Sequence, residues 1–223
     1  MPGASDPEYT RAREVLLDAL DALRGQLDAV VLVGAQAVYL HTGEGDLAVA
    51  PTTTDADIAL APDDLLAGLP VADAMAAGGF VLTDHVGSWR GRYGVVIDLM
   101  VPDALSGAGS RAARIPPHGD RTARKAVGLE AALVDRSRRT VRALEPTDTR
   151  ATEIWVAGPT ALLVAKLHKI AERVTRRARS PANGSLRPRP SSKPRRPDVD
   201  WNDKQGTPRP VPAERSGRAN PTA

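Results

Sequence analysis

Three acidic side chains stand in runs that otherwise read as buried strand. Asp55 and Asp57 lie in Thr52-Thr53-Thr54-Asp55-Ala56-Asp57-Ile58-Ala59-Leu60, and Asp98 interrupts Val95-Val96-Ile97-Asp98-Leu99-Met100-Val101. Alternate side chains of a strand share a face, so Asp55 and Asp57 point the same way, about 7 Å apart. Two carboxylates so placed repel each other unless a cation lies between them. Upstream, Val30-Val31-Leu32-Val33 breaks at Gly34 into Ala35-Gln36-Ala37, an apolar strand turning into a helix. Together these residue types point to a metal-dependent phosphate site.

The chemistry that uses such a set is transfer of a nucleotidyl or phosphoryl group. Divalent cations neutralise the phosphates there, while the protein mainly positions the reactants. Mg²⁺ (or Mn²⁺) prefers oxygen ligands and takes few carboxylates beside the phosphates themselves. Asp55 and Asp57 supply two ligands, and Asp98, on a strand able to pair beside theirs, a third. Gly34 would let backbone amides and a helix N-terminus approach phosphate oxygens, with Ala35 next to it adding no charge. Lys166, Lys169 and Arg173 share one helix face and could meet a phosphate or ribose from the opposite side.

Each assignment has a plainer rival. Asp98 could face solvent or pair with Arg92, Gly34 could be a tight turn, and the lysines a solvated face. His41, His85, His118 and His168 have no zinc-like spacing, and Ser88 and Ser106 have no base at a motif-like distance. Glu44 and Asp46 read as solvated loop residues.

The elements that must hold these groups are legible in outline. Val15, Leu16, Ala19, Leu20, Leu23 and Leu27 give residues 8–27 the spacing of an amphipathic helix. A strand over 29–33 and a helix from Gly34 to about His41 lead to a turn-rich loop at 42–46. A strand follows at 54–60, then a helix start at Pro62-Asp63-Asp64, a short helix at 71–77, and strands at 80–84 and 94–101 joined through 87–92. Residues 103–128 look irregular, while 129–145 and 153–157 offer further strands or short helices. Pro159 opens a helix to about Arg177, with Leu162, Leu163, Leu167, Ile170 and Val174 as its apolar face. The expected fold is α/β (α+β), a small mixed sheet flanked by helices over residues 1–178.

Beyond it, 179–223 reads as a disordered, basic, Pro/Arg-rich tail, since its apolar periodicity is gone. The net charge of +3 conceals a division. Residues 1–175 carry 18 Lys+Arg against 23 Asp+Glu, and residues 176–223 carry 12 against 4. The basicity belongs to the tail, which is weak ground for a nucleic-acid reading. With no cysteine, disulfides and thiolate zinc sites are excluded. Aromatics make up 3% of the chain, too few for a stacking platform along single-stranded nucleic acid. No signal-peptide pattern and no apolar run of spanning length are present, so a cytoplasmic protein without membrane contact is expected.

Val33-Gly34-Ala35, Asp55-Ala56-Asp57 and Asp98 together resemble the pattern of the nucleotidyltransferase superfamily that includes DNA polymerase β. Gly34-Ala35-Gln36-Ala37-Val38-Tyr39-Leu40-His41 with Thr53-Thr54-Asp55-Ala56-Asp57 looks like the minimal nucleotidyltransferases of the AbiEii toxin type. Leu162-Leu163-Val164-Ala165-Lys166-Leu167 is similar to the lysine-bearing helix after their catalytic core. The resemblance spans about residues 10–178. It implies transfer of NMP from an NTP to a hydroxyl on RNA or protein. Asp55, Asp57 and Asp98 would be metal-binding and catalytic, with Gly34, Ala35 and Lys166 at the nucleotide and a cognate toxin or antitoxin as partner. The chain departs from the pattern at Ala35, where Gly or Ser is usual, and in lacking a later basic–acidic helix. Only Arg196-Pro197-Asp198-Val199-Asp200 echoes that helix. The alternative is a degraded transferase fold acting as a binding partner or antitoxin component.

Overall fold

The computed structural model describes residues 7–43, 53–109 and 111–179, with side chains as far as 175. Contacts divide the chain into a body, Met1–Pro181, and a segment, Ala182–Ala223. The tail expected from 179 onward lies outside the described residues except for Arg179, the last residue of a helix.

Eight strands form one mixed sheet: β1 (Val30–Val33), β2 (Asp55–Leu60), β3 (Val81–Leu82), β4 (Ser88–Arg90), β5 (Val96–Pro102), β6 (Arg124–Ala126), β7 (Arg136–Arg142) and β8 (Ala151–Ala157). Their order is β3-β4-β5-β2-β1-β8-β7, with β6 also pairing with β5. The central strands combine both senses: β1 runs antiparallel to β2, while β2 is parallel to β5 and β1 to β8. The sheet is larger than the small one expected. Residues 87–92 hide β4 rather than a plain connection, the irregular stretch ends in β6, and 129–145 resolves into a short helix and the long edge strand β7.

Among the described residues five helices accompany the sheet: α1 (Pro7–Ala22), α2 (Gly34–Thr42), α3 (Val71–Ala77), α4 (Glu130–Val134) and α5 (Pro159–Arg179). The helix expected to start at Pro62 is only a 3-10 turn, Pro62–Asp64, and α1 likewise ends in one at Arg24–Gln26. The alternation of strand side chains divides the core between two faces. Ile58, Leu60, Ile97, Leu99, Val30 and Leu32 join Val15, Leu16 and Leu20 of α1, and Leu23 just after it, on one face. Full burial of each such side chain contributes about 1.5–3 kcal/mol. On the other face Val31, Val33, Ala59 and Met100 join Leu129, Ala132, Ala157 and Ala161 beside α4 and α5.

A buried guanidinium ties the first face together. Arg13 donates to Gln36 Oε1 at 2.9 Å, to the Tyr9 hydroxyl at 2.6 Å and to the Arg142 carbonyl at 3.1 Å, joining α1, α2 and β7. On the second face the Asp135 carboxylate accepts the Ala161 amide at 3.0 Å, satisfying an otherwise unpaired donor in the first turn of α5. That helix is seated through Ala161, Leu162 and Ala165. The remainder of its expected apolar face, Leu163, Leu167, Ile170 and Val174, stays exposed among the described residues. Periodicity records that a face is apolar, not that anything covers it.

Candidate functional site

Asp57 sits where β1, β2 and β5 meet. Its register partners are Val33 on β1 and Asp98 on β5, and Ser88 of β4 is in turn the partner of Asp98. The parallel pairing of β2 and β5 brings the two acids side by side on the face of α4 and α5, with Asp55 two residues earlier on the same face. The apolar packing of that face begins one step further along each strand, at Ala59 and Met100. All three carboxylates therefore occupy the strands' N-terminal ends, where the core gives way to solvent.

Gly34 closes the other side. It follows β1 directly and opens α2 with φ +69°, a left-handed value that disfavours any side chain. A Cβ there would overlap the Asp57 carboxylate and lie 3.0 Å from the Asp57 Cβ. Only glycine lets the start of α2 approach this acid so closely, so the tight-turn and site readings of Gly34 coincide. Ala35 follows, half-buried in the first turn.

Burial pushes the Asp57 carboxyl above its ordinary value, and the charges of Asp55 and Asp98 push it further; Lys169 and Arg124 pull it down. A half-buried carboxylate with two like charges as neighbours is a place where a cation is stabilising. Asp55 is exposed and accepts the Thr53 hydroxyl at 2.8 Å. Asp98 accepts the Ser88 hydroxyl on Oδ1 at 2.5 Å and faces the Arg124 guanidinium at 3.5 Å on Oδ2. The Arg92 alternative for Asp98 is overturned, because Arg92 reaches back to Asp18 on α1 at 2.5 Å.

Ser88 and Arg124 reach Asp98 through a close backbone crossing at Gly87. With φ +79°, Gly87 donates to the Arg121 carbonyl at 3.0 Å and accepts the Leu99 amide at 2.7 Å. A Cβ there would stand 2.5 Å from both the Leu99 carbonyl oxygen and the Arg124 nitrogen. On α5 the cation whose charge reaches Asp57 is Lys169. Lys169, Lys166 one turn earlier and Arg173 one turn later are all exposed.

Oxygen-only donors fit a hard divalent cation, and the mutual repulsion around Asp57 supplies a reason to take one. The same groups are also satisfied by Thr53, Ser88 and Arg124. Among the described residues no three His, Cys, Asp or Glu side chains are gathered as a preformed metal-binding group. Glu44 and Asp46 lie outside the described residues. His41 is structural, its Nε2 lying 2.8 Å from the Ala157 carbonyl.

No match is found. Family models, curated proteins and solved structures alike return nothing similar to the chain. Function must therefore be argued from the site itself. No helix among the described residues is long and apolar enough to cross a membrane.

Sequence reasoning missed three contributors here. Arg124 lay in the stretch taken as irregular. From sequence Ser88 offers itself only as a nucleophile, and Thr53 has no evident role. A signal for Arg124 existed in the short polar strand Arg124–Ala126, but nothing local says which strand it joins.

Proposed function

We propose that this protein is a metal-dependent nucleotidyltransferase that moves NMP from an NTP to a hydroxyl on RNA or protein, in the manner of the minimal toxin-type enzymes it resembles. One observation carries the reading: Asp57 and Asp98 side by side on parallel strands, with Asp55 on the same face and Gly34 against Asp57. Asp55, Asp57 and Asp98 would hold Mg²⁺ or Mn²⁺, which when bound neutralises phosphate charge and acidifies the attacking hydroxyl.

The chain's own groups have distinct tasks. The free amides at the start of α2 receive phosphate oxygens, because Gly34 admits them without a side chain in the way. Lys169 and Arg124 flank the acids and balance charge as it shifts. The acceptor oxygen forms a bond to the α-phosphorus, the bond to pyrophosphate breaks, and the hydroxyl proton passes to an Asp98 carboxylate oxygen. Ser88 and Arg124 hold that carboxylate in position.

A second reading is favoured by those same contacts. Asp98 is already bonded by Ser88 and Arg124, and Asp55 by Thr53. Such acids suit a binding partner or antitoxin component that has kept the fold without the chemistry. Incubation with labelled NTPs, Mg²⁺ and total tRNA or cell lysate separates the two. The transferase labels an acceptor, and the Asp55→Ala, Asp57→Ala double variant labels none. A wild-type chain that labels nothing and takes up no Mg-NTP in calorimetry overturns the transferase reading.

A further inference from the structure

Tyr93 holds the backbone in a left-handed conformation, φ 58° and ψ 8°, which an aromatic residue adopts only under constraint. The constraint is visible. Arg92, beside it, is anchored to α1 through Asp18 at 2.5 Å and Glu14 at 3.6 Å, which fixes the turn Arg92–Gly94. Tyr93 nevertheless stays 58% exposed. The guanidinium carbons of Arg11 and Arg92 stand 5.7 Å and 5.2 Å from its ring centroid, within cation–π range.

Beside this ring opens a cavity of about 330 Å³, lined by Glu8, Arg11, Tyr93 and Val96 and reaching Thr54 and Asp55. Its size falls at the lower end of small-molecule sites. A second cavity of about 350 Å³ shares Arg11 and Tyr93 with it but turns toward Glu14 and Glu145, away from Asp55. The first alone touches one of the three carboxylates.

We infer that the cavity between Tyr93 and Asp55 takes a nucleobase, stacked on the Tyr93 ring and the Arg11 guanidinium. The inference rests on the phosphate chemistry proposed above and names the group that accompanies the phosphate. A base has two possible sources, the NTP itself or the terminal nucleotide of an RNA acceptor. With one exposed ring, the site grips one base rather than a strand. The strained backbone keeps that ring at the mouth of the cavity instead of folding it into the core.

Tyr93→Gly tests this without endangering the fold, since glycine relieves the left-handed strain while removing the ring. Binding of Mg-NTP, of Mg-tripolyphosphate and of a short unphosphorylated RNA is measured by calorimetry on the full chain. About tenfold weaker Mg-NTP binding in Tyr93→Gly, with tripolyphosphate unchanged and Tyr93→Phe restoring the loss, supports the site with the NTP as source. The same loss confined to the RNA assigns the acceptor base. Unchanged binding of both NTP and RNA by Tyr93→Gly overturns the inference and leaves the phosphate site standing. A wild-type chain that binds neither triphosphate contradicts the phosphate site and this inference together.

Discussion

Burial and the neighbouring charges of Asp55 and Asp98 raise the Asp57 carboxyl above its ordinary value, against the pull of Lys169 and Arg124. A carboxyl raised in this way binds its proton more tightly in the folded chain than in the unfolded one. Its contribution is therefore favourable at low pH and is lost as pH rises from the ordinary carboxylate range through the raised folded value. Asp57→Asn removes the repulsion, so its melting temperature at neutral pH should rise by a few degrees, roughly what 1 kcal/mol gives a domain of this size. The difference should shrink as the pH is lowered. A variant that melts below wild type at neutral pH would mean that the repulsion is already offset. The Asp-x-Asp spacing was legible because strand geometry alone puts both acids on one face. That Lys169, among the cations sharing that helix face, is the one whose charge bears on Asp57 was not legible, since only the docking of α5 sets which turn lies over the acid.

At the scale of elements, the β1–α2 junction does most of the positioning. Val30–Val33 is buried on both faces, so the strand read correctly as an unbroken aliphatic run. Gly34 then marks the turn into α2. Gly34→Ala both strains a left-handed φ and drives a methyl into the Asp57 carboxylate. It should cost on the order of 2 kcal/mol in urea unfolding, read at unchanged slope. A loss below a few tenths of that would show the junction free to relax. The element that sequence missed, β4, and the one it left undecided between strand and helix, β7, share a physical reason. β4 is three residues long, and its one buried side chain, Trp89, is fixed by donating to the distant Thr122 carbonyl at 2.9 Å. β7 carries Arg136, Arg138, Arg139 and Arg142 with almost no apolar alternation. Only Val141 is buried, and the strand forms because β8 supplies the pairing and Trp155 stacks beneath Arg136 and Arg138. Charged edge strands also discourage pairing with other chains. Such pairing is a tertiary fact, invisible to local pattern.

For the whole molecule, the core clusters and the three carboxylates lie inside Met1–Pro181, and so does every contact described. A chain ending at Pro181 should unfold in a single cooperative transition within about 2 °C of the full-length protein, a shift well under 1 kcal/mol. A large loss of stability in calorimetry would place structural work in residues 182–223. The central claim is that Asp55, Asp57 and Asp98 form one cation-dependent phosphate site. It is tested most directly by titrating Mn²⁺ into the full chain with and without NTP, following the free ion by electron paramagnetic resonance. Saturable uptake that strengthens with NTP, and that falls at least tenfold in Asp57→Asn, is the predicted result. Equal uptake by wild type and Asp57→Asn, or none by either, would contradict it.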